Sequence, residues 1–64
     1  MELDQITLKT LLGKLNQPVH ISYIARYILK HELDVTKRVM DKLIKDDLVE
    51  ESRFGREYYV VKNP

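Results

Sequence analysis

The chain has 64 residues, a net charge of +1 and no cysteine, which excludes disulfides and thiolate metal sites. This length suits one small domain with a limited core. No apolar run approaches the roughly 20 residues that span a bilayer. The first residues lack the basic and then apolar pattern of a signal peptide. We therefore expect a soluble, cytoplasmic protein.

The first predicted element is a helix over residues 4–15. Asp4 or Thr7 is suited to cap its start, because either side chain can accept a hydrogen bond from a free amide of the first turn. Asn16-Gln17-Pro18 ends it, because the residue before a proline favours extended geometry. Its apolar face is predicted to contain Ile6, Leu8, Leu11, Leu12 and Leu15.

A short extended segment and a second helix follow. Val19-His20-Ile21 is long enough for one edge strand, and Ser22 stands where the N-cap of a helix over residues 22–31 is expected. Tyr23 and Tyr27 lie one turn apart and share a flank of this helix. The residues expected to be buried are Ile24, Ala25, Ile28 and Leu29.

The central helix is predicted over residues 34–47, after a connection in which Leu33 is expected to be buried. Asp34 is the expected N-cap, and Thr36 is expected to be exposed in the first turn. The inward stripe is predicted to contain Val35, Val39, Met40, Leu43 and Ile44. The opposite stripe contains Asp34, Lys37, Arg38, Asp41, Lys42 and Lys45.

Opposite charges four residues apart recur along this charged stripe. They are Lys37–Asp41, Asp41–Lys45 and Lys42–Asp46, and each such pair stabilises a helix by a few tenths of a kcal/mol. The pairs explain much of the stripe as a solvated face without any ligand. Arg38 has no acid four residues after it or three residues before it, and the acid four residues before it is Asp34, which is expected to be occupied as the cap. Arg38 is therefore the freest cation on this helix.

Residues 48–62 are predicted to form a β-hairpin with strands at 48–52 and 57–62. Arg53-Phe54-Gly55-Arg56 forms the tip, in which Gly55 can adopt a positive φ. For Phe54, the alternative to a role in binding is that its ring folds back onto the hairpin and packs on Tyr58. Glu50, Glu51 and Glu57 offer the two arginines partners within the chain, and Asn63-Pro64 is expected to be a loose end.

Three local patterns resemble a known family. Ile24-Ala25 with Ile28 resembles the packing pair of its second helix. Met40, Leu43 and then Leu48-Val49-Glu50 resemble its passage from recognition helix to wing, and Arg53-Phe54-Gly55-Arg56 followed by Tyr58-Tyr59-Val60 resembles its wing. The family is the winged helix-turn-helix DNA-binding domain, and the resemblance covers about residues 4–62. The chain departs from it by lacking a glycine between helices two and three, and by having Asp46-Asp47 where a small residue and glycine are common.

The resemblance implies a mainly α fold of three helices with a small β-hairpin, and a transcriptional regulator that binds specific double-stranded DNA sequences. The third helix would lie in the major groove, with Arg38 reading a base, and the wing would touch the adjacent backbone or minor groove. A homodimer would present two half-sites, and the protein would associate with the nucleoid. The candidate DNA-binding residues are Ser22, Thr36, Lys37, Arg38, Asp41, Lys42, Arg53, Phe54, Gly55 and Arg56.

The same sequence also bears on other classes of function. His20 and His31 stand in no metal-site pattern, and Gly13 and Gly55 are too far apart to form a phosphate loop, so we expect no catalysis, metal, cofactor or small-molecule substrate. Residues 1–33 carry four basic and three acidic residues, and residues 34–64 carry seven of each. This weak charge keeps an alternative open: a winged-helix protein–protein interaction module within a larger assembly, without DNA binding.

Overall fold

The computed structural model describes residues 3–62, which form three helices and a three-stranded antiparallel sheet. The helices are α1 (Gln5–Lys14), α2 (residues 21–29) and α3 (Leu33–Lys45). The strands are β1 (Val19–His20), β2 (Val49–Glu51) and β3 (Tyr58–Val61). The predicted order of helix, short strand, two helices and hairpin is confirmed. Asn63-Pro64 lies outside the described residues.

The sheet has the strand order β1-β3-β2, with Val19 opposite Tyr59 and Val49 opposite Val61. The predicted strand at Val19 is therefore confirmed as an edge strand, although it ends at His20. Because β1 pairs with β3, the β2–β3 hairpin is joined to the segment between α1 and α2. No helix within residues 3–62 has the length and apolar character required to cross a membrane.

The predicted start of α1 is confirmed, with Asp4 as the N-cap. The amide of Thr7 donates to Asp4 Oδ1 over 2.7 Å, and hydrogen bonding from Thr7 lowers the pKa of the Asp4 carboxyl. The helix ends at Lys14, and the amide of Leu15 still donates to the carbonyl of Leu11 over 3.1 Å. Both ends of α1 lie within one residue of the predicted bounds.

The prediction that Ser22 caps α2 is wrong, because the helix begins one residue earlier. Ile21 is 3% exposed, and its amide donates to the carbonyl of Glu57 over 2.9 Å. This bond ties Ile21 to the hairpin. His20 consequently becomes the cap, and its Nδ1 accepts from the amide of Ser22 over 3.1 Å.

The predicted end of α2 at residue 31 is also wrong. From Ile24 to Leu29 the helix is π-helical, and Lys30 then adopts a left-handed conformation with φ 57°. The amide of His31 donates to the carbonyl of Ala25 over 3.0 Å and closes this end. Lys30 thus takes the conformation that glycine usually supplies at a helix C-terminus.

Because α2 ends early, α3 begins at Leu33 and its N-cap position is Glu32, which makes no side-chain cap bond. The prediction that Asp34 is the N-cap is wrong. Asp34 lies in the first turn, where its Oδ1 accepts from the amide of Val35 over 2.9 Å. The other end of α3 leads into Asp47, which has φ 64° and so adopts a glycine-like conformation.

The core confirms the predicted burial of Ile24, Ala25, Leu29, Met40 and Leu43. These residues lie on the facing sides of α2 and α3. The full set of buried apolar residues is Leu11, Leu15, Ile21, Ile24, Ala25, Leu29, Val39, Met40, Leu43, Val49 and Tyr59.

Thr36 was expected to be exposed, but it is fully buried. It precedes Met40 by four residues, so both lie on the same face of α3. The expected burial of Leu33 is wrong as well. Leu33 is 56% exposed at the first position of α3, before the buried stripe that begins at Thr36.

Two further apolar residues lie outside the core, contrary to prediction. Ile6 is 78% exposed, since it lies in the first turn of α1 away from the buried Leu11 and Leu15. Ile44 is 36% exposed because it follows the inward-facing Leu43 and points to the edge of the helix.

Candidate nucleic-acid interface

The exposed side of α3 presents Lys37, Arg38, Asp41 and Lys42, as predicted. Burial of Thr36, Met40 and Leu43 on the other side sets this orientation. The helical ion pairs expected at a spacing of four residues do not form: within residues 3–62, no such pair on α3 has its charged atoms within 4.0 Å.

Lys37 instead pairs with a residue of the hairpin. Its Nζ lies 4.0 Å from Oε2 of Glu57, and both side chains are about half exposed. Glu57 has φ 60°, and its amide donates to Glu51 Oε2 over 3.2 Å. The exposed side of α3 and the turn end of the hairpin are therefore neighbours.

Tyr59 lies beneath this junction and responds to the charges around it. Burial raises the pKa of the Tyr59 phenol; Lys37 opposes the shift, and the carboxylates of Glu51, Asp41 and Glu57 add to it. Three acids and one lysine therefore act on one buried phenol. The region between α3 and the hairpin is of mixed charge, which limits its attraction for an anion.

The hairpin tip presents Arg53 and Arg56, and both are exposed. Within the described chain, neither guanidinium group has a carboxylate within 4.0 Å. Glu50, Glu51 and Glu57, which the sequence offers as partners, therefore form no ion pair with these arginines within residues 3–62. Because they are unpaired among residues 3–62, both cations are accessible to a ligand.

Aromatic contacts support the tip. The ring of Phe54 lies 4.8 Å from that of Tyr58 in an edge-to-face arrangement, as the alternative without a binding role predicts, although Phe54 remains 71% exposed. Tyr58 in turn contacts the ring of His20 at 5.0 Å. This row of rings connects the tip to β1 and to the start of α2.

The expected positive φ at Gly55 is wrong, because Glu57 adopts it instead. Glycine suits position 55 for a different reason. A Cβ atom there would lie 3.0 Å from Cδ1 of Tyr58, so any other residue would require the tyrosine ring to shift by a few tenths of an ångström.

Ser22 is exposed in the first turn of α2, and its hydroxyl lies 2.8 Å from Nδ1 of His20. It lines a cleft between α2 and the start of α3, together with Arg26, Lys30 and Leu33. The two basic residues were absent from the predicted site. A signal was present, since residues 21–30 contain two basic and no acidic residues.

Two exposed tyrosines stand beside this cleft. The rings of Tyr23 and Tyr27 lie 4.9 Å apart, and together with Ser22 and Arg26 they line a shallow depression. Their predicted common flank is confirmed. The exposed side of α2 thus combines aromatic and cationic groups.

No model of a known protein family, no characterised protein and no solved structure matches this chain. Among the described residues, no group of three histidines or carboxylates is arranged to hold a metal ion. The geometry and charge of α2, α3 and the hairpin therefore provide the basis for a functional assignment.

Proposed function

We propose that the protein is a winged helix-turn-helix domain that binds specific double-stranded DNA sequences and regulates transcription. In this proposal α3 enters the major groove and the β2–β3 hairpin is the wing. The observation that carries it is the position of the exposed side of α3 beside a hairpin with two exposed arginines, which the 4.0 Å approach of Lys37 to Glu57 marks.

The exposed cations have different roles. Arg38 is the base reader, since no carboxylate within residues 3–62 lies within 4.0 Å of it and a guanidinium group can donate two hydrogen bonds to guanine. Arg53 and Arg56 contact phosphates or the minor groove. Thr36 makes no DNA contact because it is buried.

Further phosphate contacts come from both sides of Arg38. Lys37 and Lys42 extend along α3, and Arg26 and Lys30 lie in the cleft with Ser22. Contacts of this kind set the register of a protein on the duplex without reading sequence.

A homodimer is part of the proposal because the net charge of one chain is only +1. Two protomers would double the number of cations on one duplex and bind two half-sites. Sedimentation at tens of micromolar, with and without DNA, tests this part: a monomer under both conditions contradicts it.

The DNA-binding proposal is tested with a duplex selected by the protein from a random pool, and with random duplex of the same length. Arg38→Ala should weaken binding to the selected duplex by roughly 1–3 kcal/mol and binding to random duplex much less. The double variant Arg53→Ala/Arg56→Ala should weaken binding to both duplexes alike. Its log–log salt dependence should become shallower by about 0.9 for each phosphate that the variant no longer neutralises.

The matched control is Lys9→Ala/Lys14→Ala, which removes two exposed cations from α1. Its effect on affinity should be smaller than that of the hairpin variant, because α1 lies outside the proposed interface. Equal weakening of both duplexes by Arg38→Ala would show that α3 reads no sequence. If no variant changes the affinity, neither Arg38 nor the hairpin arginines contact the DNA, and the proposed interface is wrong.

A second candidate function is a winged-helix protein–protein interaction module. The favouring observation is a set of large exposed side chains, including Leu33 at 56%, Tyr23 at 50% and Tyr27 at 58%. Aromatic residues on a polar surface are typical of protein interfaces. Absence of retention on a DNA column at low salt would favour this candidate over DNA binding.

A further inference from the structure

A groove of about 640 Å³ lies along the flank of α3 that carries Arg38 and Lys42. Its apolar surface comes from three elements of the chain: Leu8 of α1, Val35 of α3 and Leu48, which follows α3. All three side chains are only half buried. The volume lies in the range of about 300–1,000 Å³ that is typical of small-molecule sites.

The polar edge of the groove is formed by α3. Arg38 and Lys42 are one turn apart, both are exposed, and no carboxylate of the described chain lies within 4.0 Å of either. Asp46, one further turn along, and His31, just before α3, also line the groove. With the histidine counted as neutral, two cations and one carboxylate leave an excess of one positive charge, which matches a ligand with a single negative charge.

We propose that this groove binds a small amphipathic carboxylic acid. Its apolar body would cover Leu8, Val35 and Leu48, and its carboxylate would accept hydrogen bonds from the guanidinium group of Arg38. Arginine is suited to this role because its planar fork donates two parallel hydrogen bonds to a carboxylate. Lys42 adds a second positive charge on the same wall.

The site has a regulatory consequence that rests on the proposed function. Arg38 cannot hold a carboxylate and a guanine at the same time, so the acid and the preferred DNA sequence compete for one side chain. Linkage then requires that each ligand lowers the affinity for the other. The acid would reduce binding to the selected duplex more than binding to random duplex.

The direct test is an NMR titration of the full chain with octanoate, an eight-carbon acid. Two matched probes separate the contribution of the carboxylate from that of the apolar tail. Acetate has the carboxylate without the long tail, and octyltrimethylammonium has the tail with the opposite charge. Octanoate should shift the amide signals of residues around Val35, Arg38 and Leu48 in a saturable manner. The other two probes should not produce these shifts.

Three variants locate the site. Arg38→Gln and Leu8→Gln should each weaken octanoate binding by about tenfold, because one removes the carboxylate donor and the other places a polar group on the apolar wall. Lys45→Gln, with the same loss of charge on α3 but outside the groove, should bind octanoate like the original protein. Unaltered NMR spectra away from each substitution confirm that the variants are folded.

Equal shifts with octyltrimethylammonium, or undiminished binding to Arg38→Gln, would overturn the proposed acid site. Competition is measured separately, as the affinity for the selected duplex with and without octanoate. Saturable octanoate binding in the groove without any DNA binding would support the ligand site and refute the DNA-binding proposal. DNA binding without octanoate shifts in the groove would refute the ligand site and support the DNA-binding proposal.

Discussion

The ammonium group of Lys37 lies 4.0 Å from the carboxylate of Glu57, so α3 approaches the turn end of the hairpin at this point. The same carboxylate places a negative charge inside the proposed DNA interface. Glu57→Gln should therefore strengthen DNA binding, by about fivefold if the removed repulsion is close to 1 kcal/mol. Fluorescence anisotropy with labelled duplex at fixed salt measures the change.

The matched control for that prediction is Glu50→Gln, which removes the same charge from an exposed position on β2. A smaller increase in affinity is expected there, since Glu50 makes no ion pair with α3 within residues 3–62. Equal increases for both variants would mean that only net charge matters.

Thr36 is fully buried, and its Oγ1 has no hydrogen-bond partner among the described residues. A buried hydroxyl without a partner costs about 1–3 kcal/mol. Thr36→Val keeps the branched shape and removes the hydroxyl, so it should raise the free energy of unfolding by an amount of that order. Urea denaturation measures it. Thr10→Val makes the same change at an exposed site on α1, where we expect no comparable increase.

Leu43 and Ile44 are neighbours on α3 with different surroundings. Leu43 is 6% exposed, and Ile44 is 36% exposed. Leu43→Ala should lower the free energy of unfolding by about 2–5 kcal/mol, since it removes buried atoms and leaves a cavity. Ile44→Ala should cost less. Thermal melting of both variants tests this, and a greater destabilisation by Ile44→Ala would mean that α3 is rotated about its axis relative to the structure.

Lys30 has φ 57°, a conformation that is unfavourable for residues with a Cβ atom. Lys30→Gly should relieve this strain and stabilise the protein by about 1 kcal/mol, after the greater freedom of glycine in the unfolded chain is considered. The control is Lys30→Ala, which removes the same charge but retains Cβ. If chemical denaturation shows that both variants are stabilised equally, the effect comes from loss of the lysine charge and not from relief of backbone strain.

Burial raises the pKa of the Tyr59 phenol above its ordinary value of about 10. The folded state therefore favours the neutral phenol more than the unfolded state does. This contribution to stability is complete below about pH 10 and is lost as the pH rises through the raised pKa. We expect Tyr59→Phe to lose less stability than the original protein over this alkaline range.

Urea denaturation between about pH 8 and 11 measures that difference. The hydrogen bond with Asp47 raises the pKa of Lys62, so this lysine also loses stabilisation as the pH rises through its raised pKa. The Lys62 contribution is common to both proteins and cancels in the comparison. Parallel pH profiles would contradict a role for Tyr59.

The sequence by itself determined the features that depend on residues close together in the chain. Asp4 caps α1 because the amide that it accepts belongs to Thr7 in the first turn. The inward stripe of Met40 and Leu43 follows from helical spacing. Phe54 reaches Tyr58 because the two residues are only four positions apart in the hairpin.

Tertiary structure decided the features that depend on distant partners. Ile21 begins α2, one residue earlier than predicted, because its amide donates to Glu57, 36 positions along the chain. Lys37 pairs with Glu57 rather than with Asp41, since the hairpin lies beside α3. Helical spacing also did not decide which residues lie in the middle of the buried face of α3. Packing against the core places Thr36 on that face. Local periodicity contains no information about which distant segment will contact a given side of a helix.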